Sequence, residues 1–223
     1  NFVTFANGGA YAVAAVNNTF KPLTAQAWYY NVSNIADAYW LQADWECQLV
    51  KDLKVGAQYA NMDPKGALAA IKDSSAYAFK LGYEGIQNLK ISAAYSKVDE
   101  DGTLKIANVA TKNLGGAQSK LYTEAWMNYG YVGAPDAESV NVTAEYNAGF
   151  AKLGAYYTDV SIDNTNAQVV TKADGTDMTE MTLTATKSFG PLDATLAYFS
   201  TDADDQNNGS QYNTIEAYLT LNF

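Results

Sequence analysis

The side chains of this sequence that could carry chemistry are carboxylates and lysines. There are 24 acidic residues, 14 basic residues and no histidine, which removes Ser-His-Asp and Cys-His catalysis, histidine metal sites and the ordinary pH switch near neutrality. Every basic residue is lysine and the net charge is -10, so the bidentate guanidinium contacts typical of nucleic-acid recognition are missing. The single cysteine, Cys47, excludes an internal disulfide framework and leaves open a pairing outside this chain. The sequence therefore predicts a protein that is not an enzyme, holds no prosthetic group and binds no nucleic acid.

Two clusters of acids lie in stretches with turn composition and could bind a hard cation. One is Asp99-Glu100-Asp101, and the other contains Asp202, Asp204 and Asp205. Calcium prefers six to eight oxygen ligands, and the second cluster resembles an EF-hand loop only superficially, because Asn207 stands where the loop needs glycine. A calcium site at the second cluster is thus the less favoured alternative to a solvated outer surface.

Most other charged residues alternate with apolar ones. From Tyr39 to Val50, one set of alternate residues is apolar or aromatic and the other is mostly polar, and in a β-strand the two sets point to opposite faces. The same pattern recurs in the segments that begin at Leu53, Tyr77, Leu89, Val140 and Met181. A buried core would make some strands apolar on both faces, so the repetition indicates lipid on one side of the sheet and water on the other.

The polar set is predicted to line a water-filled lumen. An excess of carboxylates over lysines on such a wall concentrates cations, although any one carboxylate is equally well read as a solvated wall residue. The predicted pore-lining residues are Gln42, Asp44, Glu46, Lys54, Lys80, Lys90, Glu124, Glu145, Lys152, Glu180 and Glu216.

The composition fits a membrane-spanning β-barrel. The 223 residues are 48% hydrophobic and 17% charged, and they contain no apolar run as long as the 18 or more residues of a spanning helix. Strands can cross hydrocarbon only as a closed barrel. We therefore expect residues 1–223 to form one transmembrane antiparallel β-barrel domain in the outer membrane of a Gram-negative bacterium.

Turn-rich junctions recur every 30 to 40 residues or so, which is the length of a hairpin in a barrel with short turns at one end and longer loops at the other. They lie at Lys21-Pro22, Lys51-Asp52, Gly85-Ile86, Gly115-Gly116, Ala148-Gly149 and Gly190-Pro191. Counting the segments between them predicts about fourteen strands, including a weak one at 104–111, with the first residue on the periplasmic side. Since Asn1 to Phe5 lack the features of a signal peptide, we expect a processed or truncated product.

The final segment, Tyr212 to Phe223, alternates without a break. Ile215, Ala217, Leu219, Leu221 and Phe223 share one apolar face. A strand of this length ending on an aromatic resembles the C-terminal signal read by barrel assembly machinery. The predicted signal consists of Phe223, Leu221 and Leu219.

Aromatic residues cluster at both ends of the predicted strands, as two membrane interfaces would select. Those near the short turns are Phe20, Tyr83, Tyr146, Phe150, Phe189 and Phe223. Those near the long loops are Trp28, Tyr29, Tyr30, Tyr39, Trp40, Tyr95, Tyr129, Tyr131, Tyr157, Tyr198 and Tyr212. The alternative is that tyrosine is simply a good strand former.

With its hairpin spacing, Leu121–Trp126 (LYTEAW) and Val132–Asp136 (VGAPD), the chain resembles the major outer membrane porin of Campylobacter and its relatives. The resemblance implies a longer barrel of roughly 16–18 strands, of which this chain would be the C-terminal part unless it is a shorter relative. It also implies a trimeric, cation-preferring general-diffusion pore for ions and small hydrophilic solutes, with calcium near its constriction. The lack of arginine departs from the family pattern.

Three functional hypotheses follow. The leading one is a passive porin in contact with outer-membrane lipid. The second is a structural or adhesive barrel whose lumen is occluded, as in small barrels. The third is a soluble all-β binding protein, which would remain monodisperse without detergent.

Overall fold

The structure, a computed structural model, describes residues 8–107, 118–163 and 176–222. Eleven strands form in this part of the chain: β1 (Ala10–Asn17), β2 (Leu23–Val32), β3 (Ala36–Glu46), β4 (Leu53–Pro64), β5 (Ser74–Ile86), β6 (Leu89–Val98), β7 (Ala137–Asn147), β8 (Lys152–Ile162), β9 (Met178–Phe189), β10 (Leu192–Ala203) and β11 (Tyr212–Leu221). Short 3₁₀ helices occur at Gly66–Leu68 and Asn207–Gly209. No helix in the described ranges is long and apolar enough to cross a membrane.

The strands form a single antiparallel meander. Each pairs with the next in sequence, giving the order β1 to β11 without a crossover. Within the described residues, β1 pairs only with β2 and β11 only with β10. The predicted all-β antiparallel architecture is confirmed, but its closure into a barrel is not seen in this part of the chain.

The prediction of about fourteen strands is wrong, because the described residues form eleven. Most of the difference lies between β6 and β7, where strands were expected. Residues 104–107 and 118–136 form turns and irregular structure, while 108–111 lie outside the described residues. Several backbone N–H groups here donate to a carbonyl three residues earlier, as Glu124 does to Leu121 at 3.1 Å and Ala134 to Tyr131 at 2.9 Å. Such turns replace the pairing to a neighbouring strand that the predicted strands required.

Connections differ in length between the two ends of the sheet. At the end we call the short-turn end, β5 is joined to β6 by residues 87–88 and β9 to β10 by residues 190–191. Asn88 and Gly190 adopt positive φ values of 64° and 65° there, which asparagine and glycine tolerate best. Most connections at the opposite, long-loop end are longer, which confirms the predicted asymmetry. Strand β1 starts at the long-loop end, whereas the first residue, predicted to lie on the periplasmic side, is outside the described residues.

The two faces of the sheet differ in polarity and exposure. The face that we call outer carries Leu41, Leu81, Leu183 and Leu219, all exposed, with Leu219 at 70%. On the opposite, inner face, Thr182 is only 1% exposed. Strand registers keep these sets together, as Leu81 pairs with Val55 and Ala93. An outward apolar face and an inward polar face are what the alternation predicts.

Aromatic rings on the outer face align across strands near the long loops. Tyr29 pairs with Tyr39 and Phe79 with Tyr95, and the rings of Tyr29 and Tyr39 lie 5.2 Å apart. Such a row fits an interfacial girdle. The assignment of Tyr129 to this belt is wrong. Tyr129 lies in the stretch of chain that connects β6 to β7, and its side chain is buried.

A candidate pore constriction on the inner face

We call residues 99–136 the inserted segment. Its described parts, 99–107 and 118–136, pack on the inner face of the sheet. Apolar residues of the segment form a buried cluster with the sheet, in which Leu121 and Val132 join Ala78, Val98 and Met178. A single sheet has no second layer to bury its inner face. The inserted segment supplies that layer, and the core of the protein lies beneath it.

The two ends of the inserted segment are tied together beside β5. The N–H of Asp136 donates to the carbonyl of Asp99 at 3.1 Å, and that of Ile106 to the carbonyl of Gly133 at 2.8 Å. A Cβ at Gly133 would lie 2.1 Å from the Ile106 carbonyl oxygen, so this close approach requires glycine. The segment therefore leaves and rejoins the sheet as a closed loop.

One anchor of the loop, the Tyr122 anchor, consists of Tyr122 with Asp44, Gln58 and Lys80. The Tyr122 hydroxyl donates to Asp44 Oδ1 at 2.7 Å, and its backbone N–H donates to Gln58 Oε1 at 2.9 Å. Lys80 Nζ lies 4.3 Å from the centre of the ring, within cation–π range. Burial, followed by the hydrogen bond to Asp44, raises the pKa of Tyr122. The hydroxyl therefore stays protonated and acts as a donor.

Gly56 of β4 makes room for the Tyr122 ring. A Cβ at this position would lie 2.6 to 2.8 Å from three atoms of that ring. Glycine inside a strand often marks such a close approach. The ring can thus lie directly on the strand between Asp44 and Lys80, since Gly56 pairs with both.

The second anchor, the Glu180 anchor, consists of Glu180 and the backbone N–H groups of residues 126–128. Trp126 N donates at 2.8 Å, Met127 N at 3.0 Å and Asn128 N at 2.9 Å. The Asn128 side chain adds a fourth donor at 2.9 Å. Glu180 is only 1% exposed, so a buried carboxylate is satisfied by amide donors, as charge-assisted hydrogen bonds permit.

Further contacts extend the Glu180 anchor to the loop between β10 and β11. Asn128 donates to Thr201 Oγ1 at 3.1 Å and accepts from Gln206 at 2.9 Å. The Tyr131 hydroxyl donates to Asp205 and accepts from Gln206. The inserted segment, which connects β6 to β7, is therefore bonded to β3 and β4 on one side and to β9 and β10 on the other.

Glu124 is a carboxylic acid of the inserted segment whose ionisation is shifted by burial. Its Oε2 accepts from Lys120 N at 3.1 Å, and its buried Oε1 has no hydrogen-bond partner in the described structure. Burial raises the pKa of Glu124 to about 7, and the charge and backbone of Lys120 act in the opposite direction. This carboxyl therefore titrates near neutrality.

The short-turn half of the inner face carries charged side chains. Lys54 lies 3.1 Å from Glu84 and 3.9 Å from Glu46, while Lys90 lies 3.2 Å from Glu84. Lys152, Glu145 and Trp126 line a cavity of about 540 Å³ next to these pairs. This half of the inner face is therefore an open, charged vestibule.

The predicted pore-lining residues are divided among these places. Asp44, Lys80 and Gln42 lie at the Tyr122 anchor, where Gln42 donates to Asp44 at 2.6 Å, and Glu180 is buried at the other anchor. Contact with permeating water stays a prediction for every one of them. The remaining predicted residues lie along the vestibule or in the inserted segment: Glu46, Lys54, Lys90, Glu124, Glu145, Lys152 and Glu216.

Two of the three predicted metal ligands, Asp204 and Asp205, make other contacts. Asp204 accepts from the backbone of Asp177 at 3.3 Å, and Asp205 accepts from Tyr131. Within the described ranges, no three carboxylate, cysteine or histidine side chains form a group that could hold a metal. Calcium stays a prediction from resemblance. Of the predicted assembly signal, Leu219 and Leu221 are exposed, and Phe223 lies outside the described residues.

Sequence reasoning missed the residues that hold the inserted segment, above all Tyr122, Gln58 and Asn128. Gly56, in the interior of an otherwise regular strand, was the available signal for the Tyr122 anchor. The backbone donors at 126–128 leave no such signal, because every non-proline residue has the same N–H.

The described sheet is similar to part of the fold of the OprD and Occ outer membrane proteins of Pseudomonas aeruginosa. Outer membrane protein OprD of Pseudomonas aeruginosa superimposes with a TM-score of 0.72 at 16% identity, over 95% of this chain and 58% of its own. OccK10 (OpdN) of the same organism gives 0.72 at 14% identity, over 95% and 60%. OpdO gives 0.73 at 12% identity, over 96% and 56%. The chain thus spans less than two thirds of each of these proteins, and no family model or curated protein sequence matches it.

Proposed function

We propose that this chain is part of an outer-membrane porin, a passive channel for ions and small hydrophilic solutes. The observation that carries the proposal is the inserted segment, held against the polar inner face of a sheet whose outer face is apolar. In such a channel the sheet spans the lipid and the segment narrows the aqueous passage. No catalytic step is required of any residue.

Within the described residues, β1 and β11 each have one edge without a partner strand, which supports a barrel completed by further strands. Open sheet edges do not occur in hydrocarbon, because their N–H and C=O groups would be unsatisfied. The lengths of the structural neighbours leave room for a longer protein of roughly 16–18 strands. We propose that this chain is part of such a longer protein. Trimer formation, a calcium ion and kinship with the Campylobacter porins stay predictions.

A weak cation preference is part of the proposal, since the chain carries a net charge of -10. The test is the reversal potential of the full-length native protein in planar bilayers under a KCl gradient. The preference should fade with salt, because the Debye length falls from about 10 Å at 0.1 M to about 3 Å at 1 M. Changing Asp44→Asn and Glu46→Gln together should shift the reversal potential toward the anion side. An unchanged potential in a conducting variant would place the charge selection elsewhere.

The same segment also supports a second candidate, a structural or adhesive barrel with an occluded lumen. Its apolar packing against Ala78 and Val98 resembles a plug as well as a constriction. Conductance separates the two functions. A channel passes current in proportion to the number of inserted proteins, whereas a plugged barrel inserts without increasing the current.

A further inference from the structure

Three aromatic rings meet on the inner face, on the short-turn side of the inserted segment. Trp126 of the segment lies 5.4 Å from Tyr156 of β8 and 6.4 Å from Tyr218 of β11, measured between ring centroids. The rings are tilted by 50° and 60°. Trp126 is nevertheless 37% exposed and Tyr218 41% exposed. Part of their aromatic surface is therefore open to the vestibule.

Two carboxylates adjoin these rings. The Tyr156 hydroxyl donates to Glu145 Oε1 at 2.8 Å, and the Tyr218 hydroxyl donates to Glu216. Tyr156 of β8 is thus held by an acid of the neighbouring strand β7, and Tyr218 by an acid of its own strand, β11. These ring contacts and hydrogen bonds join five residues, which we call the aromatic–acid cluster: Trp126, Tyr156, Tyr218, Glu145 and Glu216.

Lys54 and Lys90 of the vestibule form their ion pairs outside this cluster. Lys90 is the register partner of Glu145, yet its ammonium lies 3.2 Å from Glu84 instead. Lys54 lies 3.1 Å from the same Glu84. Lys152 also lines the cavity and lies on the strand register opposite Asn147 and Thr186. The ion pairs found among the described residues include neither Glu145 nor Glu216.

We propose that the aromatic–acid cluster is a binding site for organic ammonium ions, quaternary ammonium included, on their way through the channel. A quaternary ammonium has no N–H to donate to a carboxylate, so its attraction comes from aromatic faces and from the surrounding negative field. Trp126 offers the strongest such face, and Glu145 and Glu216 supply the field. The adjoining cavity of about 540 Å³ is within the range of small-molecule sites. This inference rests on the proposed channel function and names one class of its solutes.

Binding can be measured without conduction. Isothermal titration calorimetry of the full-length native protein in detergent should show saturable binding of tetramethylammonium. The same ion, added to KCl in planar bilayers, should reduce the current with the same concentration dependence. Both effects should be absent for sodium at equal ionic strength, because sodium gains little from an aromatic surface.

The variant Trp126→Leu should weaken tetramethylammonium binding by about three- to thirty-fold, the range of one lost cation–π contact. The Glu180 anchor uses the backbone N–H of Trp126, so this side-chain change leaves the anchor in place. Trp45→Leu is the matched control, since Trp45 is also 37% exposed but lies on the outer face. The pair Glu145→Gln and Glu216→Gln keeps an acceptor for each tyrosine while removing both charges, and should weaken binding as well.

Two results would overturn the inference. One is a protein that conducts KCl normally but shows no saturable tetramethylammonium binding, which leaves the porin proposal intact. The other is an equal loss of affinity in Trp126→Leu and Trp45→Leu. Binding without any KCl conductance would instead contradict the porin function and keep the ammonium site.

Discussion

The two anchors of the inserted segment both hold it against the sheet, but they use different groups of the segment, backbone N–H groups in one and a side chain in the other. At the Glu180 anchor, one buried carboxylate collects backbone N–H groups from residues 126–128. At the Tyr122 anchor, one tyrosine side chain reaches Asp44 and lies under Lys80. The first anchor holds mainly the backbone of residues 126–128, and the second depends on one ring and the space left for it.

The comparison separates backbone restraint from side-chain recognition. Losing the carboxylate of Glu180 would leave several buried donors unsatisfied, each at a substantial desolvation cost. Losing the hydroxyl of Tyr122 would leave Asp44 with its bond from Gln42 at 2.6 Å. We therefore expect the Glu180 anchor to dominate the stability of the inserted position.

The largest effect is expected for Glu180→Gln. The amide removes the charge and turns an N–H₂ group toward backbone N–H donors, at a cost of about 3 kcal/mol or more. The inserted segment should detach more often, which would raise both single-channel conductance and protease cleavage within 118–136. Glu46→Gln is the control, because the Glu46 side chain is 65% exposed. Equal cleavage rates in the two variants would show that Glu180 does not hold the segment.

The next effect is expected for Gly56→Ala. The added methyl would lie 2.6 Å from the Tyr122 hydroxyl oxygen, and such overpacking costs about 1–3 kcal/mol. Gly82→Ala is a matched control on the neighbouring strand, because its methyl would be 3.7 Å from the nearest atom. Thermal unfolding of the full-length protein and the cleavage assay should distinguish the two variants. Identical behaviour would mean that Tyr122 has other space to occupy.

Some features of this structure could be predicted from the sequence and others could not. Strand faces and most turns were predictable, because side-chain alternation has a period of two and glycine and asparagine mark the turns. Strands were expected within the inserted segment because turn-rich junctions recur at regular spacing, with Gly115-Gly116 among them. In the structure, Leu121, Thr123 and Ala125 are instead buried under the inner face of the sheet.

Neither the hydrogen bonds of Glu180 nor the titration of Glu124 could be predicted in this way. Both depend on which residues, distant in sequence, cover a carboxylate, and alternation carries no such information. The absence of histidine predicts no titration near neutrality, yet burial raises the pKa of Glu124 to about 7. Burial can thus bring the pKa of a carboxyl group near neutrality in a chain that has no histidine.

A smaller effect is expected for Tyr122→Phe, which keeps the ring next to Lys80 but removes the hydrogen bond to Asp44. The loss should be about 1.5 kcal/mol, the lower range for a hydrogen bond to a charged group. Combining it with Asp44→Asn gives a double-mutant cycle, in which the two changes should be less than additive. Tyr59→Phe on the outer face controls for the loss of a hydroxyl. Full additivity would mean that the hydroxyl and Asp44 do not interact in solution.

The last effect is the pH dependence set by Glu124. Its pKa is raised to about 7 from 4.5 when the segment is in place, so the inserted state holds a proton that a detached, solvated segment would release. Linkage then makes the inserted state most favoured below about pH 4.5 and progressively less favoured as the pH rises through 7. The chain has no histidine, so few other side chains titrate between pH 5.5 and 8.

Protease cleavage within 118–136 should therefore rise between pH 5.5 and pH 8. The variant Glu124→Gln should remove most of this rise and keep the cleavage rate near its low-pH value. Since the protease itself responds to pH, Glu46→Gln serves as the reference at each pH. A rise of the same size in Glu124→Gln and in the reference would assign the response to another group and leave Glu124 as a buried acid without a role in holding the segment.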